Sequence, residues 1–152
     1  MKNLLIIKWL NICSVFIFIM ILIGGATRLT QSGLSMVDWK PIMGIIPPLN
    51  EEQWLEKFNR YKEFPEYQKI NKLKKMKLDE FKSIFYWEYL HRILGRIIGL
   101  LFIIPLFVFW KKKYLNKNLL KKLIFAFLLL CMQGLLGWFM VKSGLIDNPH
   151  VS

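Results

Sequence analysis

The pattern of apolar and polar positions divides the chain into three long apolar runs and one long mixed segment. Residues 9–27 hold 19 uncharged positions in a row, and extending back to Leu4 adds only Lys8, whose stem can snorkel from a helix end. Residues 123–141 form a second uncharged run of 19, bounded by Lys121, Lys122 and Lys142. Both match the length of about 20 residues that a helix needs to cross the hydrocarbon core. Between them, residues 97–110 give only 14 uncharged positions, but the helical pattern continues back through Arg96, Arg92, His91 and Glu88 towards Ser83. One long helix with a polar outer third is predicted there. Pro105 lies inside it and frees one backbone carbonyl, which neighbours have to satisfy in a membrane. The predicted spans are 4–25, 84–110 and 121–142.

Orientation follows from lysine asymmetry. The linker 111–120 and the two lysines after it hold six lysines and no acid, and Lys2 and Lys8 precede the first span. Both segments are therefore expected on the cytoplasmic side. The outer loop, 27–82, carries 11 Lys/Arg against 8 acids and is long enough for the rule to lose force. A cleaved signal peptide is the alternative reading of the first run, with Gly24, Gly25 and Ala26 as its cleavage site, but the run is long for that purpose. Within the outer loop, Asn50 followed by Gln53 reads as a capping box. Trp54, Phe58 and Tyr61 then form a stripe at i, i+4, i+7 that stops at Pro65. This predicts a short amphipathic helix, lying on the membrane surface, on the mouth of the bundle or in an extramembrane subdomain. The Lys69 to Lys77 cluster reads as a solvated loop.

Composition supports the same class: 55% of the 152 residues are hydrophobic, with mean hydropathy +0.36. The formal charge of +12 does not lead to nucleic acid, because a basic binder displays its charge on a soluble face. Cys13 and Cys131 both lie inside apolar runs and form neither a disulfide framework nor a zinc knuckle.

Ionisable residues on a membrane helix are costly and ask for a reason. Glu88 and His91 are spaced i, i+3, and Gly95 and Gly99 follow His91 at i+4 and i+8, so a carboxylate, an imidazole and two bare backbone patches share one face. Arg92 and Arg96 sit on the adjacent strip. An imidazole can ligate iron, glycines let a flat ring lie against the helix, and guanidinium groups suit propionates, which together suggest a porphyrin site. The alternatives stay open on spacing alone: a Gly-x-x-x-Gly packing face, an i, i+4 ion pair of Glu88 with Arg92, and a hydrogen-bonded core histidine. Gln133, Gly134 and Gly137 of the last span read as a packing seam. Tyr86, Trp87 and Tyr89 read as an interfacial aromatic belt.

The order of motifs carries a resemblance. Gly24-Gly25-Ala26-Thr27-Arg28-Leu29-Thr30, Ser32-Gly33-Leu34-Ser35, and Trp39 with Pro41 come first. Pro47-Pro48, Phe64-Pro65-Glu66-Tyr67, Glu80-Phe81-Lys82, Glu88-Tyr89-Leu90-His91-Arg92 and Gly95-Arg96 follow. Gln133-Gly134-Leu135-Leu136-Gly137-Trp138 and Lys142-Ser143-Gly144-Leu145 complete the series. The chain resembles the heme A synthase family, membrane enzymes that convert heme O to heme A for cytochrome c oxidase, from about Gly24 to its last residue. The resemblance implies an all-α integral membrane fold, three transmembrane helices of a four-helix-bundle half, with the long outer loop containing the short amphipathic helix. It implies heme O as substrate and a heme b in a second half. His91 matches the axial iron ligand and Glu88 the carboxylate essential to oxidation of the porphyrin methyl group. Arg28, Arg92 and Arg96 are expected at the propionates.

Departures from the family pattern shape the remaining expectations. The chain is expected to be an incomplete, N-terminal part, lacking the second axial histidine and the histidine pair for heme b. His150 reads as a loop residue, and the outer loop has no cysteine pair such as some relatives carry. The missing half or a second copy of the chain is the expected partner, with heme O synthase and oxidase assembly factors as further candidates. The competing reading is a non-catalytic heme-binding or assembly subunit. With no Arg- and Ser-rich transit peptide, a bacterial inner membrane is favoured over a mitochondrial one, the outer loop being periplasmic.

Overall fold

The computed structural model describes residues 2–37 and 46–146, so Trp39, Pro41 and His150 lie outside the described residues. Four α-helices follow one another: α1 (Lys2–Leu29), α2 (Glu51–Tyr61), α3 (Leu78–Lys111) and α4 (Lys117–Ile146), with a π-helical turn at Tyr67–Asn71 before α3. Among the described residues there is no strand. α1, α3 and α4 are each long and apolar enough to cross a membrane. The chain is an all-helical, multi-pass membrane protein.

α3 has 34 residues, about 50 Å at 1.5 Å per residue, well beyond the roughly 30 Å of hydrocarbon. It begins at Leu78, earlier than the apolar pattern predicts, because Glu80 accepts the Lys77 backbone N–H at 2.7 Å and two acids occupy the first turn. The extra turns form a stalk on which the outer segment packs. α2 starts at Asn50, whose side chain accepts the Gln53 N–H at 2.9 Å, while Gln53 reaches back to the Leu49 N–H at 2.8 Å. Its stripe of Trp54, Phe58 and Tyr61 is buried against Phe81 and Phe85 of α3, with ring centroids 5.0 to 6.4 Å apart. The amphipathic helix therefore caps the stalk.

The Lys69 to Lys77 cluster is more ordered than a plain loop. Its lysines are exposed, yet Asn71 in the π-helical turn is buried and donates to the Tyr61 hydroxyl at 2.7 Å. That hydroxyl donates in turn to Glu66 at 2.9 Å. Glu66 is only 2% exposed, and burial is the main reason that its pKa rises to about 7; the bond from Tyr61 and the charge of Lys74 oppose the rise, while Glu88 adds to it. Burial first, and then the Glu66 charge, push the Tyr61 phenol up as well. A carboxyl whose folded pKa is raised stabilises the fold fully below its unfolded value near 4.5 and loses that contribution as pH climbs to about 7. The contribution is on the order of 3 kcal/mol at 1.4 kcal/mol per unit. Thermal unfolding in detergent should therefore show a melting temperature that falls from about pH 5 to about pH 7, and Glu66→Gln should flatten that slope. An unchanged slope in the variant would contradict this.

α1 and α3 run antiparallel, with Gly24 facing His91, Met20 facing Gly95, and Trp9 meeting Leu101 and Phe102. Lys2 lies 5.2 Å from the Tyr114 ring, so the start of α1 and the lysine-rich linker share one end of the bundle. There Trp9, Cys13, Phe102, Leu106 and Leu123 form an apolar cluster joining α1, α3 and α4. Pro105 has no N–H for the Leu101 carbonyl four residues back, and the Trp9 indole N–H donates to that carbonyl at 2.8 Å. This supplies the neighbour that the freed group requires. Trp9→Phe should lower stability in detergent by about 1–2 kcal/mol. Adding Pro105→Ala, which restores a backbone donor, should recover it; failure to recover would show that the indole acts by bulk alone.

α4 is the least embedded span, with only Leu123 and Gly144 buried. Gly134 and Gly137 meet nothing within 4 Å, so the predicted packing seam has no partner helix among the described residues.

Candidate functional site

The site forms where the end of α1 turns back over the stalk of α3. α1 closes in a Schellman arrangement: Ser32 N–H donates to the Thr27 carbonyl at 2.9 Å and Gln31 N–H to the Arg28 carbonyl at 3.2 Å. Gln31 takes the left-handed conformation at φ 51° that this closure needs. The turn lays Ser32, Leu34, Ser35 and Met36, all buried, against α3.

Glu88 lies under this turn and is 3% exposed. Its Oε2 accepts from the Ser35 hydroxyl at 2.7 Å and from the Met36 backbone N–H at 2.7 Å. Its Oε1 pairs with the Arg92 guanidinium one turn further along α3. Arg92 also donates to the Met36 carbonyl at 3.4 Å. Three donors, one of them cationic, fix the direction of the carboxylate. The predicted i, i+4 pair is thus present and buried, and it is one part of a larger clamp.

His91 sits on α3 next to this clamp and points across to α1. A Cβ placed on Gly24 would lie 3.4 Å from His91 Nε2 and 3.7 Å from Cδ2. The glycine therefore leaves bare backbone in front of the nitrogen able to bind a metal. Thr27 closes the same turn of α1 by donating to the Gly24 carbonyl at 2.8 Å. Gly95 faces the Met20 methyl, and a Cβ there would stand 3.5 Å from it; around Gly99 nothing lies within 4 Å. Two bare patches therefore continue along α3 from His91, one of them fully open. Arg96 is half-buried one turn beyond Arg92, and Arg28 is exposed at the end of α1.

The structure thus brings together Glu88, His91 and Arg92, with Gly95, Gly99 and Arg96 further along α3, while Arg28 is exposed at the end of α1. Three contributors were given no part in the site by sequence reasoning: Ser35, the Met36 N–H and Gly24. Their signal lay in the short motifs Ser32-Gly33-Leu34-Ser35 and Gly24-Gly25-Ala26, which give no hint of a contact 53 residues away.

Among the described residues no group of three His, Cys, Asp or Glu side chains could hold a metal ion. A porphyrin brings four nitrogens of its own and asks the protein for one or two ligands. One imidazole, bare backbone beside it and apolar helix surface fit such a ring.

Residues 7–152 match the cytochrome oxidase assembly protein family, COX15-CtaA. The chain belongs to that family. It is 53% identical to the heme A synthase of Nitrosospira multiformis over 144 residues, covering 95% of this chain and 40% of that protein. It is 49% identical to the heme A synthase of Flavobacterium johnsoniae over 151 residues, 99% of this chain and 44% of the relative. The heme A synthase of Rickettsia canadensis matches all of this chain at 50% identity, over 44% of its own length. The chain therefore spans about two-fifths of the length of these curated relatives. No solved structure matches it.

Proposed function

We propose that this chain is the heme O-binding part of a heme A synthase, and that Glu88 and His91 are its reacting and ligating side chains. The observation that carries this is the pairing of a buried, clamped carboxylate with an imidazole one turn away whose Nε2 faces a glycine. His91 ligates the iron of heme O, and Gly95 and Gly99 leave bare helix surface for the ring. Arg28 and Arg96 bind the propionates, and Arg92, already engaged by Glu88, orients the carboxylate.

The overall change is methyl plus one water to formyl plus four protons and four electrons. It runs as two hydroxylations at one carbon followed by loss of one water. Positive charge develops on that carbon as electrons leave, and a fixed anion beside it lowers the barrier. Glu88 supplies that anion and receives the protons that are lost. A heme b bound outside this chain would supply the electron sink. The N-terminus and the lysine-rich linker lie in the cytoplasm and the α2 segment in the periplasm of a bacterial inner membrane. Heme O synthase supplies the substrate, and the remaining helices of a full-length protein or a second copy cover α4.

The test supplies heme O to membranes holding the chain, with and without a co-expressed C-terminal part of a relative, and separates the extracted hemes by chromatography. Heme A in the combined sample is the expected result. Bound heme O with no formyl product in either sample would mean a carrier, and would overturn the catalytic reading.

A further inference from the structure

The three donors to the Glu88 carboxylate come from two elements. Arg92 lies on α3 itself, four residues from Glu88, so it travels with the carboxylate wherever the helix goes. Ser35 and Met36 belong to the turn after α1, and both of their bonds fall on Oε2, at 2.7 Å each. They pin that oxygen to a second element, while Arg92 at Oε1 sets the rotation about it. The Met36 N–H is backbone and is present whatever the side chain. The Ser35 hydroxyl is the part of this tie that the choice of side chain supplies.

A hydroxyl has one proton to donate, and Ser35 has three acceptors within reach: Glu88 Oε2 at 2.7 Å, the Ser32 carbonyl at 3.1 Å and the Ile84 carbonyl at 3.3 Å. Serine in a turn ordinarily bonds to its own local backbone, and a hydroxyl that only completed this turn would lie nearest the Ser32 carbonyl. It lies nearest the carboxylate instead, the acceptor that bears charge and binds a donor most strongly. The turn closes without it, through Ser32 N–H to the Thr27 carbonyl at 2.9 Å, the Thr30 hydroxyl to the Ala26 carbonyl at 2.8 Å and Ser35 N–H to the Ser32 carbonyl at 3.4 Å. Ser35 is 1% exposed, so bulk water does not compete for its proton.

We propose that Ser35 is a positioning residue for oxidation of the heme O methyl group, its hydroxyl holding Glu88 Oε2 against the turn after α1 so that the carboxylate keeps one fixed place beside the reacting carbon. The inference rests on the reading of Glu88 as the anion that carbon needs. Stabilisation of a developing charge falls with distance, and a glutamate side chain turns about several bonds. Without the serine, the tie to the second element is reduced to the Met36 N–H, and the carboxylate is drawn towards Arg92 on its own helix. Ser35 exchanges no proton with the substrate and touches neither the ring nor the iron; it acts through Glu88 alone.

The experiment uses the full chain with the co-expressed C-terminal part of a relative, in membranes supplied with heme O. Ser35→Ala should lower formyl product about tenfold, the scale of a small misplacement at a reacting centre, while bound heme O stays within about twofold of the native chain. Added to Glu88→Gln, it should lower product no further, because two residues that act as one unit are not additive. Unchanged product in Ser35→Ala, loss of heme together with product, or a further tenfold fall in the double variant would each overturn the assignment. A second readout needs no heme: the infrared difference between the native chain and Glu88→Gln isolates the Glu88 carboxylate stretch, and Ser35→Ala should shift that band. An unmoved band would overturn the tie. If Glu88→Gln itself makes formyl heme at the native rate, the reading of Glu88 fails and the positioning role falls with it; if Glu88→Gln loses product while Ser35→Ala keeps it, the Ser35 assignment fails alone.

Discussion

Glu88→Gln should cut formation of formyl heme by about a hundredfold or more while leaving heme O bound. That magnitude is the usual cost of losing one preorganised electrostatic group at a developing charge. Glutamine keeps an oxygen for the Ser35 hydroxyl and the Met36 N–H, the two contacts at 2.7 Å, but it has no charge for Arg92 or, in the proposed reaction, for the substrate carbon. With iron ligation assigned to His91 in the proposed function, the heme content read by absorbance should stay within about twofold of the native chain. Product and heme content are measured on the same extract, beside the C-terminal part of a relative. Unchanged product would remove Glu88 from the reaction. Loss of heme together with product would make it a binding residue instead.

The second large effect concerns stability. Arg92→Leu should destabilise the chain in detergent by about 3 kcal/mol, because it leaves a buried carboxylate without its cation. Arg92 and Glu88 side chains are 14% and 4% exposed, so solvent does little to screen the pair. The combined variant Arg92→Leu and Glu88→Leu should recover most of that loss, since replacing both members of a buried pair by apolar groups is often neutral. Thermal unfolding of the two single variants and the double variant gives the coupling directly. A stable Arg92→Leu chain that has merely lost heme affinity would instead place Arg92 at a propionate, the role that its spacing first suggested.

Much of this architecture is legible from hydropathy and turn chemistry. The three spans follow from uncharged runs that no soluble core of this size needs, and α2 follows from Asn50, Gln53 and one aromatic stripe. The site is legible in part, because Glu88, His91 and Arg92 lie on consecutive turns of one helix and periodicity relates them. What periodicity cannot relate is the second helix. Nothing in the run 9–27 shows that Gly24 will face His91, or that the turn after it will deliver Ser35 and the Met36 N–H to Glu88. Those contacts depend on the antiparallel register of α1 on α3, which is set by packing. The same applies at the other end, where Pro105 announces a carbonyl in need of a donor but not that Trp9 provides it.

The central claim is that His91 holds the iron of heme O. The most direct measurement is the heme content and absorbance spectrum of the purified chain, produced in membranes supplied with heme O, beside His91→Ala. The native chain should carry heme with the spectrum of an imidazole-ligated iron, and the variant should lose most of it while its helical content and melting temperature are maintained. Equal heme in both, with the same spectrum, would contradict the claim and send the search for the ligand elsewhere.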